Sequence, residues 1–214
     1  MASAIESRRR PDLLADQQFP SPPQQERSRR ARDGLLGASL ALFAENGYEA
    51  TTVDEIARRA GVAVGGFYLH FRSKRQVLQV LMDSLLLELD SELGALGDAT
   101  QLPEQLLSLR FDSPYAGVYR AWREAALRDT SIAALDAAIE AWTSARIAAA
   151  LHAVAVKPGA RATIDLHSFA WMLSVLWWRL LEKAQLDRDV LTKNAATLMQ
   201  SILFEDRVTT SELP

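Results

Sequence analysis

"GVAVGGFYLHF", residues 61–71, places two adjacent glycines directly before an aromatic cluster, within sequence whose pattern is otherwise helical. A glycine in a helix interior costs about 1 kcal/mol relative to alanine. A helix therefore keeps two of them only where something compensates for that cost, such as a close approach of its backbone to another molecule. The flanking sequence indicates that this stretch is such a helix.

Short helices with clear ends surround the stretch. Apolar residues recur upstream with helical spacing, and the helix that they form is predicted to end at Gly47. Thr52 and Glu55 have the spacing of a capping box, which starts a second helix, and Gly61 ends it. Ser73 is the predicted cap of the next long helix. A support helix, a glycine turn and a recognition helix form a helix-turn-helix, whose recognition helix enters the DNA major groove.

The remaining sequence is also helical in pattern, and no strand pattern competes with it. Further helices are predicted over about 103–110, from 114 onward, and over about 131–156, 160–184 and 188–204. We therefore predict an all-α protein of about nine helices. A helix-turn-helix DNA-binding domain over residues 27–75 precedes a helical ligand-binding and dimerisation domain over residues 76–214. Residues 1–26 are proline-rich without a periodic apolar face, which predicts a disordered tail.

Charge and composition narrow the function. Residues 1–75 hold 12 Lys+Arg against 9 Asp+Glu, whereas residues 76–214 hold 12 against 18. A basic first third suits a polyanion such as DNA, although a solvated charged face explains it too. The tail arginines could contact DNA phosphates as a flexible arm or only keep the tail soluble; they are Arg8, Arg9, Arg10, Arg27, Arg29 and Arg30. The absence of cysteine excludes thiolate metal sites, and no leader or membrane span is apparent, so a cytoplasmic location is predicted.

Residues 31–81 resemble the DNA-binding domain of the TetR family of transcriptional regulators. The resemblance is carried, in order, by "LFAENGYEATTV", "IARRAGV", "GGFYLHF" and the "SK" that opens the next helix. It implies a homodimeric repressor that binds a palindromic double-stranded DNA operator and is released by a hydrophobic small-molecule effector. Beyond residue 81 the likeness is one of architecture only.

Seven residues are predicted to contact DNA: Thr52, Val64, Gly65, Gly66, Tyr68, His70 and Lys74. The two glycines begin the recognition helix, where a missing side chain lets the backbone approach DNA. Val64 offers an apolar contact, for example to a thymine methyl group. Ala63 stands where the family usually has a capping Ser or Thr, so the helix lacks its side-chain cap. Because so few polar side chains face the bases, phosphate contacts and DNA shape are expected to supply much of the affinity.

The other predicted contacts are polar. Thr52 and the N-terminus of its helix are predicted to bind a phosphate, because unsatisfied N–H groups favour an anion there. Tyr68 and His70 are expected to project toward the DNA backbone or base edges. The alternatives are a core position for Tyr68 and a merely exposed His70. For Lys74 the family resemblance implies a phosphate contact.

Aromatic residues concentrate in the second domain, where all five tryptophans follow residue 120. The resemblance implies that this domain surrounds an apolar ligand chamber, while ordinary core packing is the alternative. The candidate ligand-binding residues are Phe111, Tyr115, Tyr119, Trp122, Trp142, Trp171, Ser174, Trp177 and Trp178. Segment 160–184 carries two apolar stripes, so both of its sides must be covered. The resemblance implies that segments 160–184 and 188–204 pair with their twins in a dimer; the alternative is that both stripes are core.

Other functional classes find little support. The chain has three histidines and no constellation for nucleophilic, metal or phosphate-loop chemistry, so no enzyme and no cofactor are predicted. A zinc site from His152 and His167 is a weak possibility. A helical protein-interaction module without specific DNA binding is the alternative function, and it leaves residues 61–71 unexplained. Steep salt dependence of duplex binding would favour the DNA-binding interpretation.

Overall fold

A computed structural model describes residues 9–20, 26–94, 116–155, 164–182 and 188–204. Within these ranges the chain forms eight α-helices and no β-strand, which confirms the predicted all-α class. The helices are α1 Glu26–Ala50, α2 Val53–Arg59, α3 Val64–Tyr68, α4 Lys74–Gly94, α5 Ala116–Ala126, α6 Thr130–Ala155, α7 Leu166–Glu182 and α8 Arg188–Leu203. The helix predicted over 103–110 lies outside the described residues, as does the predicted start at 114.

Local signals set the ends of the first three helices. Gly47 has φ of +81°, a left-handed conformation that interrupts α1 where the sequence predicts its end. The capping box of Thr52 and Glu55 is present at the start of α2. Gly61 has φ of +69° in the turn that follows α2. Helix α3 begins after Ala63 without a side-chain cap and spans only five residues, so it is shorter than the predicted 62–71.

Buried aromatic and aliphatic side chains join α1, α2 and α3. Phe67 and Phe71 are fully buried with ring centroids 5.8 Å apart, and Ile56 of α2 is fully buried in the same core. Ser73 accepts a hydrogen bond from the Gln76 N–H at 3.2 Å, as the cap predicted for α4 should. The orientation of α3 thus follows from burying its inner side, because a five-residue helix is not stable by itself.

Residues 9–20 form a segment that we call the N-terminal strap. Leu13 is 2% exposed, and its carbonyl accepts a hydrogen bond from the Gln79 side chain at 3.3 Å. The Gln18 carbonyl accepts one from the Gln76 side chain at 3.3 Å, and Arg10 pairs with Asp83. The strap therefore runs antiparallel to α4, with its early residues farther from α3 than its late ones.

The strap corrects two predictions. The disorder predicted for residues 1–26 is wrong for residues 9–20, because three scattered apolar side chains, Leu13, Leu14 and Phe19, pack against the core without forming a periodic pattern. Of the two alternatives left open for Arg10, a DNA contact and a solubilising role, neither describes the structure, because its guanidinium group pairs with Asp83 on the part of α4 that leads away from α3.

Helix α5 connects the helices of the first part of the chain to those of the second part. It packs against α1 and α4 on one side and against α6 and α7 on the other. Its inward residues are almost all buried, including Tyr119 and Trp122. A movement of α5 must therefore change its contacts with α1 and α4 as well as its contacts with α6 and α7.

Candidate nucleic-acid interface and effector site

The outward face of α3 is mainly apolar. Val64, Tyr68 and Leu69 are 39%, 52% and 70% exposed, while Phe67 on the opposite side is fully buried. Val64 and Tyr68, both predicted to contact DNA, thus lie on the exposed side of α3. Leu69 was not predicted, although it follows Gly65 by four residues and therefore lies on the same side of the helix as Gly65.

The two glycines of α3 are not required by the fold. Neither has a positive φ, and a Cβ atom added to Gly65 would meet nothing within 4 Å. A Cβ added to Gly66 would make only an ordinary contact of 3.5 Å with Val62. Alanine would therefore fit both positions and favour the helix, so the fold itself does not require glycine at either one.

Thr52 is engaged within its own helix. Its hydroxyl and its N–H both donate to Glu55 Oε2, at 2.8 and 2.9 Å, and its hydroxyl oxygen accepts from the Glu55 N–H at 3.2 Å. These bonds lower the pKa of Glu55, so its carboxylate is held ionised at the N-terminus of α2. Thr52 thus uses its hydroxyl and its N–H within the capping box, and the phosphate contact at the N-terminus of α2 stays a prediction.

Lys74 also has internal partners. Its ammonium group donates to the carbonyl oxygens of Tyr48 at 2.6 Å, Thr51 at 2.8 Å and Glu49 at 3.5 Å, and it lies 4.2 Å from the Tyr48 ring centroid. Burial lowers its pKa, which the nearby acidic residues partly oppose. Lys74 ties the loop before α2 to the start of α4, and the phosphate contact implied by the resemblance would have to displace these carbonyls.

His70 lies on the inner side of the turn after α3. It is 9% exposed, so the prediction that it projects toward base edges is wrong. The helical hydrogen bonds of residues 70 and 71 to the Phe67 carbonyl, each 2.9 Å, wind the turn inward. Burial and the positive charge of Arg32 lower the pKa of His70, so the folded chain favours the neutral imidazole.

This lowered pKa predicts a loss of stability in mild acid. Below its ordinary pKa of 6.5 the unfolded chain binds a proton at His70 that the folded chain still refuses. The free energy of unfolding should therefore decrease as the pH falls from about 7.5 to about 5.5. Urea denaturation across this range measures it, and His70→Gln should reduce the slope. An identical slope in the variant would contradict the assignment.

Several candidate effector residues lie together in the core. Tyr119 of α5 stacks on Trp178 of α7 with ring centroids 4.4 Å apart, and Trp177 meets Trp178 edge-on at 4.5 Å. Trp122 is fully buried, and its indole N–H donates to Asp136 at 3.1 Å. Trp142 of α6 is 1% exposed. Aromatic residues of α5, α6 and α7 thus share one core.

Two buried indole groups in this core have no hydrogen-bond acceptor: the Nε1 atoms of Trp142 and Trp178. A buried donor without a partner costs about 1–3 kcal/mol, so such groups call for an acceptor. Ser174 is 1% exposed, and its hydroxyl donates to the Trp171 carbonyl at 2.8 Å, which leaves its oxygen able to accept.

Trp171 does not belong to this cluster. It is 56% exposed on the outer side of α7, so its predicted place in a ligand chamber is wrong. Ser174, one turn further along α7, is buried, so the boundary between the exposed and the buried side of this helix passes between the two residues. Phe111 and Tyr115 lie outside the described residues.

The contact between α5 and α1 is unusually close. A Cβ atom on Gly117 would lie 2.4 Å from the Ala44 Cβ and 2.5 Å from its Cα. The Glu124 carboxylate accepts backbone N–H bonds from Tyr48 at 2.6 Å and Glu49 at 3.2 Å, just after the left-handed Gly47. Sequence patterns did not reveal Gly117 or Glu124, because their partners are more than 70 residues away in the chain.

The described residues also bear on a metal centre and on a membrane span. No three His, Cys, Asp or Glu side chains are grouped there in a way that could hold a metal ion. No helix within those ranges has the length and apolarity that crossing a membrane requires.

Comparison with known proteins identifies the first domain. Residues 35–81 match the family model described as bacterial regulatory proteins, tetR family. The chain is 35% identical over 77 residues to the transposon Tn10 TetC protein of Escherichia coli, a match covering 36% of this chain and 39% of that protein. It is 42% identical over 67 residues to the transcriptional repressor KstR2 of Mycolicibacterium smegmatis, covering 31% and 32% of the two chains. The matches thus span less than half of these relatives.

Solved structures extend the likeness to the fold of nearly the whole chain. A transcriptional regulator from Saccharomonospora viridis in complex with choline superposes with a TM-score of 0.69 at 21% identity, covering 83% of this chain and 99% of that one. The ketosteroid regulator KstR2 of Mycobacterium tuberculosis gives 0.63 at 17% identity, covering 88% and 100%. At these identities the comparison concerns the fold, and the family is carried by the helix-turn-helix. The first domain of this chain, over residues 35–81, therefore matches the tetR family of bacterial regulatory proteins.

Proposed function

We propose that this protein is a cytoplasmic transcriptional repressor that binds a palindromic DNA operator as a homodimer and releases it when a largely apolar effector enters the second domain. The observation that carries the proposal is the outward face of α3. There an exposed surface of Val64, Tyr68 and Leu69 surrounds Gly65, a helical glycine for which the fold has no need. Proteins of this family are in general DNA-binding regulators rather than enzymes.

DNA binding is tested by Gly65→Ala, whose effects on folding and on function should have opposite signs. The added methyl group meets open space and favours the helix, so the free energy of unfolding should rise by about 0.5–1 kcal/mol. The same methyl group should hold α3 away from the groove and weaken operator binding at least tenfold, which is about 1.4 kcal/mol. Urea denaturation and fluorescence anisotropy measure the two effects, using a duplex selected from a random pool by the unmodified protein.

Gly37→Ala is the matched control. Gly37 is a helical glycine in α1 with nothing within 4 Å of an added Cβ atom, so its replacement should stabilise the fold to a similar extent. Operator affinity should stay unchanged in this variant. If the Gly65→Ala and Gly37→Ala variants bound the operator with equal affinity, the proposed role of Gly65 would be wrong. If the unmodified protein bound duplex DNA only weakly and without sequence preference, a protein-interaction module would be favoured instead.

The effector is proposed to be an apolar molecule that carries hydrogen-bond acceptors. The aromatic core of α5, α6 and α7 supplies apolar contacts, and Trp142 and Trp178 bury indole N–H groups that lack an acceptor. One fold neighbour is in complex with choline, which illustrates small-molecule binding by a protein of this fold. Native mass spectrometry of the purified protein should identify a retained ligand. Its addition should weaken operator binding, and an unchanged operator affinity would contradict an effector role.

The dimer is proposed to form through α7 and α8. Trp171, Met172, Val175 and Leu176 make a continuous exposed apolar stripe on α7, and Val190 and Leu198 are exposed on α8. A patch of this kind marks an interface, and a second copy with the same patch gives a two-fold dimer. The symmetry would have to place the two α3 helices about 34–36 Å apart, one turn of DNA. Sedimentation should give twice the chain mass of 23.7 kDa, and a monomer would overturn the proposal.

Release from the operator is proposed to pass through α5. This helix contributes Tyr119 and Trp122 to the aromatic core, while Gly117 and Glu124 fix it against α1. An effector that shifts α5 therefore shifts the DNA-binding domain. By linkage, effector and DNA must weaken each other's binding by the same factor, typically about 1–3 kcal/mol.

A further inference from the structure

We infer that this protein recognises its operator largely through the C5 methyl groups of thymine, and that Leu69 is a specificity-determining residue that reads them together with Val64. The inference rests on the proposed DNA-binding function and names the base chemistry that α3 selects.

The first argument is the lack of hydrogen-bonding groups on α3. Among residues 62–71 only Tyr68 and His70 have polar side chains, and His70 is 9% exposed. Direct reading of G, A or C in the major groove depends chiefly on Arg, Lys, Asn, Gln, Asp or Glu side chains. One phenolic hydroxyl cannot supply that pattern over several base pairs.

The second argument is the shape of the exposed face. With about 100° of rotation per residue, Val64, Gly65, Tyr68 and Leu69 fall within an arc of about 140° on one side of the helix. On this arc Gly65 lies between Tyr68 and Leu69, with Val64 beyond Tyr68, and a Cβ added to Gly65 would meet nothing within 4 Å. The arrangement is a shallow depression between the Tyr68 ring and the Leu69 side chain.

The third argument is chemical complementarity. In the major groove of unmodified DNA the thymine methyl is the one apolar group that a base edge presents. Leu69 is 70% exposed in this chain, so contact with a methyl group would remove apolar surface of both partners from water. Single exposed leucines are common on protein surfaces, but here the leucine adjoins two further exposed large side chains on the helix of a DNA-binding motif.

The experiment replaces thymine with deoxyuridine, which removes only the methyl group. A duplex selected from a random pool by the full-length protein is prepared with deoxyuridine at each thymine in turn, and affinities are measured by anisotropy at one salt concentration. We expect the thymines under α3 to lose about fourfold in affinity per methyl, the equivalent of about 0.8 kcal/mol for one buried methyl group. Thymines elsewhere in the duplex should lose nothing.

Two single-residue variants test whether Leu69 causes the dependence on thymine methyl groups. In Leu69→Gln the thymine and deoxyuridine duplexes should bind with nearly equal affinity at the positions that Leu69 covers. Leu127→Gln is the matched control, because Leu127 is 85% exposed at the end of α5, and it should keep the full methyl dependence. Both substitutions are on the surface, and circular dichroism should find both variants folded.

The outcomes separate the two proposals. If no duplex is selected, the proposed DNA-binding function and this inference both fail. Tight, sequence-specific binding with equal affinity for thymine and deoxyuridine duplexes would overturn only the inference. A Leu69→Gln variant that keeps the fourfold methyl dependence would overturn the role of Leu69.

Discussion

Phe67→Ala should lower the free energy of unfolding by about 3–5 kcal/mol, the usual cost of removing a buried aromatic side chain. Phe67 is fully buried, and its ring centroid lies 5.8 Å from that of Phe71 and 5.3 Å from that of Tyr68. It is also the buried residue of α3, so this five-residue helix has no other comparable anchor. Operator binding should be lost although Phe67 faces away from DNA. Urea denaturation followed by circular dichroism measures the stability.

Phe67→Leu is the companion variant, because leucine keeps most of the buried apolar volume. It should cost clearly less than the alanine variant and retain operator binding. If Phe67→Ala lowered the free energy of unfolding by less than about 1 kcal/mol, α3 would be held mainly by other contacts. A loss that small is typical of substitutions outside the core.

Gly117→Ala should destabilise the protein by about 1–3 kcal/mol, the usual cost of forcing a methylene into a packed core. The new Cβ atom would lie 2.4 Å from the Ala44 Cβ and 2.5 Å from the Ala44 Cα, so the backbones of α5 and α1 must separate. Helix propensity alone would instead predict a gain, because alanine is the better helix former. Urea denaturation therefore decides between packing and propensity by the sign of the change.

Gly37→Ala serves again as the control, since it lies in α1 with open space at its Cβ position and should raise stability. Ala44→Gly should destabilise the Gly117→Ala variant less than it destabilises the unmodified protein, because there it also removes one of the two clashing atoms and so offsets part of the cost of a glycine in α1. Since α5 carries the proposed effector signal, Gly117→Ala should also change operator affinity. A neutral or stabilising Gly117→Ala would mean that the close approach of α5 and α1 is not maintained.

The predictions that were confirmed depend on residues near one another in the chain. The capping box of Thr52 and Glu55 spans one helical turn, and its hydrogen bonds form wherever the chain goes next. The left-handed glycines Gly47 and Gly61 end their helices because their own backbone conformations do so. The same locality explains why the helix-turn-helix could be located from the order of short signals along residues 31–81.

The predictions that were wrong depend on distant partners. His70 was predicted to project toward the DNA backbone or base edges, but packing against the core leaves it 9% exposed. Trp171 and Trp178 were both assigned to a chamber, but only packing against other helices decides that Trp178 is buried and that Trp171 is not. Leu69 was missed because exposure cannot be read from residue type.

By itself the sequence determined that the chain is all-α, where the capped starts of α2 and α4 lie, and that a helix-turn-helix pattern surrounds Gly61. These properties follow from helix periodicity, capping and glycine conformation, which act over a few residues. Only the tertiary structure decided that the strap covers α4, that Lys74 binds the carbonyls before α2, and that Gly117 and Glu124 join α5 to α1. Those contacts join residues between 23 and 76 positions apart, so they exist only once the whole core has assembled.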